Sequence, residues 1–133
     1  MEATTILKEK FGYDQFRPGQ DQVIQQVMAG DNSLALMPTG GGKSLCYQVP
    51  ALLFSGLTLV ISPLIALMKD QVDALNANDI PATFINSSLT GTEAAQRWNL
   101  VADGAVKLLY LAPERLDDPR SLQQLQQLPI DLV

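Results

Sequence analysis

Histidine is absent from the 133-residue chain, and cysteine occurs once, as Cys46. A disulfide bond within the chain is therefore impossible, and a zinc site of cysteine and histidine lacks the ligands it needs. Cys46 also has no histidine that could act as its base. We therefore expect a small packed side chain at this position and not a nucleophile.

Basic residues are scarce, with nine Lys and Arg against fourteen Asp and Glu and a net charge of −5. This balance argues against a protein that coats polyanions, because such binding depends on many Lys and Arg contacts to phosphates. A local site can still differ in sign from the whole molecule. A nucleic acid held by a few backbone amides and well-placed cations therefore remains compatible with the composition.

Long apolar runs are also missing, since none approaches the roughly 20 residues of a membrane span. No basic start precedes an apolar segment, so we expect neither a signal peptide nor a membrane partner. We expect an unsecreted protein, cytoplasmic and associated with the nucleoid in a bacterium or nuclear in a eukaryote. Apolar residues make up 47% of the chain, enough for the core of one domain.

Short apolar runs alternate with helical patterns along the chain. The runs are nearly continuous in their apolar character, which is typical of strands buried on both faces of a parallel sheet. The sequence therefore predicts an α/β fold, an open and mostly parallel sheet with helices on both faces. The predicted strands are Leu34–Met37, Leu57–Ser62, Ala82–Ile85, Lys107–Ala112 and Ile130–Val133.

Helices are predicted between these strands. Thr90 and Glu93 have the spacing of a capping box, and Trp98 is expected to pack in the core from the middle of the helix that follows. The predicted helices run from Pro18, in the first turn, to about Ala29 with Gly30 as the stop, from about Leu64 to Ala77, from Thr90 to Gly104, and from near Pro119.

The strongest motif is a glycine-rich loop, Met37-Pro38-Thr39-Gly40-Gly41-Gly42-Lys43-Ser44, between a predicted strand and a helix. Glycines let consecutive N–H groups point at a phosphate chain, and the helix N-terminus adds positive potential. Lys43 would reach the β- and γ-phosphates, and the Ser44 hydroxyl would ligate Mg²⁺. The usual first glycine of this phosphate loop is replaced by Met37. The sequence therefore predicts a site for a nucleoside triphosphate with Mg²⁺, with Thr39, Gly40, Gly41 and Gly42 in the cradle.

About twenty residues upstream, the segment Phe11-Gly12-Tyr13-Asp14-Gln15-Phe16-Arg17-Pro18-Gly19-Gln20 resembles the adenine-reading motif of RecQ-family DNA helicases. The resemblance implies that Gln20 reads adenine, that Tyr13 stacks on its ring and that Arg17 is a supporting cation. A glutamine amide suits this role because it both donates and accepts. Taken alone, Tyr13 would also suit a hydrophobic staple, and Arg17 a solvated charge.

Three later segments are similar to the same family: Leu45–Leu52, Val60–Val72 and Tyr110–Leu116. In the first segment, Pro50 should kink or shorten the helix begun at Lys43. The second segment looks like helicase motif Ia. The resemblance implies DNA contacts from Ser62 and Pro63, to which we add Asn86 and Ser87 at the same sheet edge. Arg115 is open between a DNA contact and an ion pair that fixes its own loop.

The resemblance implies an ATP-dependent helicase that moves 3′→5′ along single-stranded DNA and unwinds duplex DNA. Residues 1–30 would form a helical lead-in with the adenine motif, and residues 31–133 the sheet of the first RecA-like lobe. The predicted strand at Val133 has no turn signal after it, so we expect a fragment. An Asp-Glu motif ending in Ala-His would follow within the same lobe, and a second RecA-like lobe would complete the motor. Without them we expect weak nucleotide binding and no turnover.

Three alternatives stay open from the sequence alone. A phosphate-loop kinase or small ATPase would need none of the motifs outside the phosphate loop. A superfamily 2 helicase of the DEAD-box RNA type has a comparable glutamine motif but reads differently at Ser62–Gln71 and Ala112–Arg115. A nucleotide-binding or DNA-binding module without turnover would not need the catalytic residues that the chain lacks.

Overall fold

The computed structural model describes residues 2–33 and 43–133. The predicted strand Leu34–Met37 and the predicted cradle residues Thr39 to Gly42 lie outside these ranges. The chain groups into two compact units, Met1–Ser55 and Gly56–Val133. The division at residue 30 that the sequence predicts stays a prediction.

The first unit contains three helices, α1 (Ala3–Phe11), α2 (Gln20–Met28) and α3 (Leu45–Leu53). One buried side chain from each helix, Ile6, Ile24 and Val49, forms the centre of its core. The helix α1 was not predicted separately. The helix is followed by its C-cap residue Gly12, whose φ of 78° is a left-handed conformation that glycine adopts without strain.

The start of α2 differs from the prediction that Pro18 lies in its first turn. The helix begins at Gln20, because Gly19 has φ 90° and ψ −25°, which no helical residue adopts. The Gln20 amide donates to the Arg17 carbonyl at 3.1 Å, so Arg17 to Gln20 form a type II turn with Pro18 and Gly19 at its centre. Gly30, with φ 86°, follows the end of the helix as predicted.

Pro50 lies inside α3, which continues for three residues beyond it to Leu53. Proline removes one helical donor, the one that would reach the Cys46 carbonyl, but it does not end this helix. Cys46 is 6% exposed, and burial raises the pKa of its thiol. A buried thiol with a raised pKa is a poor nucleophile, so the structure agrees with the packing role predicted for Cys46.

The second unit is built on four parallel strands in the order β2-β3-β1-β4. They are β1 (Leu57–Ile61), β2 (Ala82–Ile85), β3 (Leu108–Leu111) and β4 (Ile130–Leu132). All four strands were predicted to within one residue at either end. Every residue of β2 and β3 is buried, as expected for strands covered on both faces.

Three helices connect these strands: α4 (Ile65–Ala77), α5 (Gly91–Ala102) and α6 (Pro119–Gln126), with a 3₁₀ helix, Pro113–Asp117, before α6. The connection from β1 to β2 crosses the sheet in the opposite direction to the other two. Right-handed connections therefore put α4 on one face and α5 and α6 on the other. Trp98 is 8% exposed and packs in the core cluster below α5, as predicted. The α/β fold with helices on both faces is confirmed.

The predicted capping box at the start of α5 is present. The Thr90 hydroxyl accepts from the Glu93 amide at 3.1 Å, and the Glu93 carboxylate accepts from the Thr90 amide at 3.0 Å. These bonds satisfy donors that a helix N-terminus otherwise leaves unpaired. They also hold the pKa of Glu93 below its ordinary value of 4.5, chiefly through the bond from the Thr90 backbone.

The register of β4 against β1 is fixed at the start of both strands. The Leu57 amide donates to the Pro129 carbonyl at 2.8 Å, and the Gly56 amide donates to the Asp131 carboxylate at 2.6 Å. Asp131 is an extra residue in the pairing, which is a β-bulge. A side chain at Gly56 would collide with the Pro129 carbonyl oxygen, so only glycine fits this close approach.

Candidate functional site

A cavity of about 200 Å³ lies among the three helices of the first unit. Four parts of the unit supply its walls: the end of α1, the segment that follows it, the first residue of α2 and the start of α3. Its lining residues are Phe11, Tyr13, Gln15, Arg17, Gln20, Ser44, Leu45 and Gln48. The structure thus brings together all three residues of the predicted adenine site and one residue of the predicted phosphate site.

The type II turn positions Gln20. The turn brings Gln20 back beside Arg17, and the Gln20 side-chain oxygen Oε1 accepts from the Arg17 backbone amide at 2.7 Å. The Gln20 side chain is 1% exposed, so its carboxamide is held in one orientation inside the protein. A buried amide of fixed orientation on a cavity wall is suited to recognising a polar ligand.

Tyr13 and Arg17 are more open. Tyr13 is 51% exposed although it belongs to the cavity wall, so one part of its side chain is available to a planar ligand. Arg17 is also exposed and contributes positive charge beside the same space. An aromatic ring and a guanidinium group beside a buried amide are the elements that stack, support and hydrogen-bond a nucleobase.

Lys43 and Ser44 lie directly before α3. Ser44 is the N-cap residue, and its carbonyl accepts from the Gln48 amide at 2.9 Å. The Ser44 hydroxyl makes no capping bond, and Lys43 is exposed. Both residues therefore stand at the positive end of a helix, where a phosphate chain is favoured. Their roles toward phosphate and Mg²⁺, like those of Thr39 to Gly42, stay predictions.

In the second unit, the predicted nucleic-acid residues follow the carboxyl ends of neighbouring parallel strands, where α/β sheets bind ligands. Ser62 follows β1, and its hydroxyl accepts from the Leu64 amide at 3.2 Å. Pro63 and Ser87 are exposed on the loops after β1 and β2. Lys69, one turn into α4, is held by Asp73 at 2.7 Å, a hydrogen bond that raises the Lys69 pKa.

Asn86 is 0% exposed, in contrast to the expectation of a polar group presented at the edge. Its side-chain oxygen accepts from the Ser88 amide at 2.9 Å, and its Nδ2 donates to the Met68 sulfur at 3.5 Å. These bonds shape the loop after β2 and leave the exposed Ser87 beside it. A direct contact from Asn86 to nucleic acid stays a prediction, and in this arrangement its side chain is inside the protein.

Arg115 joins two loops of this edge. Its Nη2 donates to the Asn86 carbonyl at 3.1 Å, and its Nη1 lies 4.0 Å from the Asp118 carboxylate. The Arg115 side chain is 23% exposed. Of the two roles that the sequence left open, the geometry realises the one in which Arg115 fixes the loop, while a part of the guanidinium remains accessible.

A second cavity, of about 250 Å³, opens beside Arg115 between α5 and α6. Three small residues of α5 and Trp98 form one wall, and polar residues of α6, including the exposed Arg120, form the other. Its lining residues are Gly91, Ala94, Ala95, Trp98, Arg115, Asp118, Arg120, Ser121 and Gln124. Asp118 is engaged in capping α6, since its carboxylate accepts from the Arg120 amide at 3.1 Å.

Sequence reasoning missed Gln48, Gln15, Phe11 and Leu45 as parts of the first cavity. Gln48 had a usable signal, because it lies four residues after Ser44 on a predicted helix and therefore shares its face.

Within residues 2–33 and 43–133, no helix is long and apolar enough to cross a membrane. No three His, Cys, Asp or Glu side chains of those same ranges group as a metal centre would require.

A parallel sheet with helices on both faces and polar loops at its carboxyl edge is the arrangement in which α/β domains bind ligands. A family model described as DEAD/DEAH box helicase matches residues 17–131. The chain belongs to the DEAD/DEAH box helicase family.

Within this family, the chain is similar to proteins named as RecQ helicases. The chain is 51% identical over 132 residues to "ATP-dependent DNA helicase RecQ" of Bacillus subtilis (strain 168), which covers 98% of the chain and 22% of the relative. A protein of the same name from Haemophilus influenzae is 56% identical over 114 residues, or 86% of the chain and 18% of the relative. "RecQ-like DNA helicase BLM" of Xenopus laevis is 44% identical over 117 residues, which is 86% of the chain and 9% of the relative.

The resemblance to RecQ helicases is thereby confirmed over most of the chain. The chain spans only 9% to 22% of the length of these three relatives.

Proposed function

We propose that this chain is the nucleotide-binding part of an ATP-dependent DNA helicase motor. The adenine base would enter the cavity of the first unit, with Gln20 at its edge and Tyr13 against its face. The triphosphate would run to Lys43 and Ser44, and the Ser44 hydroxyl would contribute one ligand to Mg²⁺. Phosphoryl transfer depends mainly on such positioning and on charge stabilisation.

One observation carries this proposal. A single cavity is lined by Gln20 and Tyr13, which the sequence predicts to bind the base, and by Ser44, which it predicts to ligate Mg²⁺. Up to 31 positions separate these residues along the chain. The Pro18-Gly19 turn explains how the chain achieves this, since it directs the Gln20 amide to a fixed position. A purely structural turn would not require a half-exposed tyrosine and a buried amide on the same cavity wall.

DNA is the second proposed substrate. The relatives are named DNA helicases, and the exposed Pro63 and Ser87 stand beside strand ends where a single strand could lie. Because the chain carries a net charge of −5, backbone amides and few cations would hold the strand. Further sequence, including the Asp-Glu motif and a second RecA-like lobe, would complete the motor and give 3′→5′ movement.

The test is Gln20→Ala in the complete motor protein, with ATP and GTP compared as substrates. We expect the KM for ATP to rise and the preference for ATP over GTP to fall, because the lost amide contacts contribute about 1–3 kcal/mol. Gln22→Ala is the matched control, since Gln22 is an exposed glutamine on α2 that does not line the cavity. Equal use of ATP and GTP by the unsubstituted protein would contradict the proposal.

A further inference from the structure

The strand β2 stands at one end of the sheet order, so within the described residues its only hydrogen-bonded neighbour is β3. An edge strand presents N–H and C=O groups that can pair with a strand of another molecule. At the start of β2, the Lys107 amide donates to the Pro81 carbonyl at 2.8 Å, so this carbonyl points toward β3. Backbone groups alternate in direction along a strand, and those of Ala82 and Phe84 therefore point away from β3.

A side chain from α4 occupies this outer edge at Ala82. The Asn76 nitrogen Nδ2 donates to the Ala82 carbonyl at 3.2 Å, and the Ala82 amide donates to the Asn76 oxygen Oδ1 at 3.1 Å. A carboxamide offers both a donor and an acceptor, as a peptide group does. Asn76 therefore takes the place that a residue of a neighbouring strand would take beside Ala82.

A side chain from α5 occupies the next outward position. The Arg97 nitrogen Nη1 donates to the Phe84 carbonyl at 2.9 Å, and the guanidinium lies 4.3 Å from the centre of the Phe84 ring. Ile85 packs in the core cluster below α5, so the alternation of side chains along β2 puts the Phe84 ring on the face of α4. To reach this ring from α5, the Arg97 side chain must pass around the outer edge of β2.

We propose that Asn76 and Arg97 close the outer edge of the sheet, and that the partner which this edge would otherwise accept is β2 of a second copy of the chain. The strand has the sequence Ala-Thr-Phe-Ile, which carries no charge to oppose pairing. Two copies of one edge can pair about a two-fold axis, because such an interface uses the same surface on both molecules. Arg97 also adds a positive charge that would face its own copy across this axis.

The test opens the edge with the double variant Asn76→Ala/Arg97→Ala in the complete motor protein. The matched control is Asn99→Ala/Arg120→Ala, which changes the same residue types at exposed positions of α5 and α6 that take no part in the hydrogen bonds to β2. The readout is the molar mass from analytical ultracentrifugation over a range of protein concentrations. We expect the mass of the opened variant to rise by about twofold or more with concentration, while the control matches the unsubstituted protein.

Adding Ala82→Pro to the opened variant distinguishes pairing through the edge from loss of the fold. Proline has no N–H, and residue 82 directs this group away from β3, so proline blocks the edge and leaves the bonds to β3 in place. We expect the triple variant to return to the mass of the unsubstituted protein. Association that persists in the triple variant would overturn the inference, and so would an opened variant that keeps the original mass at every concentration.

Hydrogen–deuterium exchange of residues 82–85 tests the partner by a second measurement. In a dilute sample of the opened variant, the Ala82 amide lacks the Asn76 acceptor and should exchange faster than in the unsubstituted protein. In a concentrated sample the protection should return, because pairing with a second copy covers the same amide. Equally fast exchange in both samples would mean that no second copy pairs with this edge, and would contradict the proposed partner.

Discussion

The cavity of the first unit and the sheet edge of the second differ in where their buried polar side chains lie. In the cavity, Gln20 and Gln48 are buried amides whose side chains line an open space. At the edge, the side chains of Asn86 and Arg115 form hydrogen bonds with backbone groups of the surrounding loops. The first region therefore presents buried amides to an open space, which suits the nucleotide that we propose there, while the second is organised around its own loops and offers a ligand mostly backbone and Ser87.

This difference predicts different consequences of substitution. A change in the proposed nucleotide site should alter affinity and turnover with little effect on the fold, because its groups face an open space. A change at the sheet edge should first loosen the loops, and it should alter DNA binding only through that loosening.

The largest effect is expected from Lys43→Ala. Removing this cation should lower the ATPase rate of the complete motor by about 10²–10³-fold or more, since phosphoryl transfer relies chiefly on stabilising the charge of the transferred group. Lys43 is exposed, so the unfolding temperature should stay unchanged. ATPase assays and thermal unfolding with and without DNA provide the measurement.

Lys8→Ala removes the same charge from an exposed position on α1 and is the matched control, because Lys8 lies outside the cavity. We expect it to retain normal turnover. If the Lys43→Ala protein kept its ATPase activity, the assignment of Lys43 to the phosphate site would be wrong. A destabilised one would mean that the first unit, too, depends on its polar side chains for folding.

A smaller and different effect is expected from Arg115→Ala. The guanidinium donates to the Asn86 carbonyl at 3.1 Å, and losing a bond from a charged donor costs about 1–3 kcal/mol of local stability. Hydrogen–deuterium exchange should rise at residues 86–90 and 113–118, and stimulation of the ATPase by single-stranded DNA should fall. The affinity for ATP should remain nearly the same.

Arg115→Lys separates the loop role from a DNA contact, because lysine keeps the charge but cannot reproduce the planar set of donors. If the loop role dominates, Arg115→Lys should show the same faster exchange and the same weak DNA stimulation as Arg115→Ala. DNA stimulation that survives in Arg115→Lys despite faster exchange would assign Arg115 to direct contact with the DNA backbone.

Much of the fold was readable from the sequence because local signals were strong. Short, mostly apolar runs such as Ala82–Ile85, set between helical patterns, predicted buried strands, and the spacing of Thr90 and Glu93 specified the start of α5. The adenine residues Tyr13, Arg17 and Gln20 were found through resemblance, and the structure brings all three to one cavity.

What the sequence could not supply depends on tertiary contacts. The positive φ of Gly19, which moves the start of α2 past Pro18, is one of several conformations that a Pro-Gly pair can adopt. The burial of Asn86 depends on Met68 and Arg115, which are distant along the chain. The bulge at Asp131 depends on the close approach of Gly56. Hydrophobic periodicity carries no information on such pairs.

The smallest effect concerns the capping box beside the sheet edge. Bonds from Thr90 hold the pKa of Glu93 below 4.5 in the folded protein, so the stabilisation is present above the unfolded pKa. It is lost as the pH falls through the folded pKa. Exchange within α5 should therefore speed up below about pH 4.5 relative to the other helices.

Thr90→Ala should cost about 1 kcal/mol near neutral pH and remove this acid sensitivity, because the depressed pKa depends on the cap. Glu93→Gln should keep most of the neutral-pH stability, since glutamine also serves in capping boxes, but it has no proton to gain in acid. The measurement is hydrogen–deuterium exchange of residues 91–102 between pH 3 and pH 7, corrected for the intrinsic exchange rate. If ATPase activity at neutral pH fell in Glu93→Gln while α5 kept its protection, the edge would serve the ligand directly, and the contrast between the two regions would not hold.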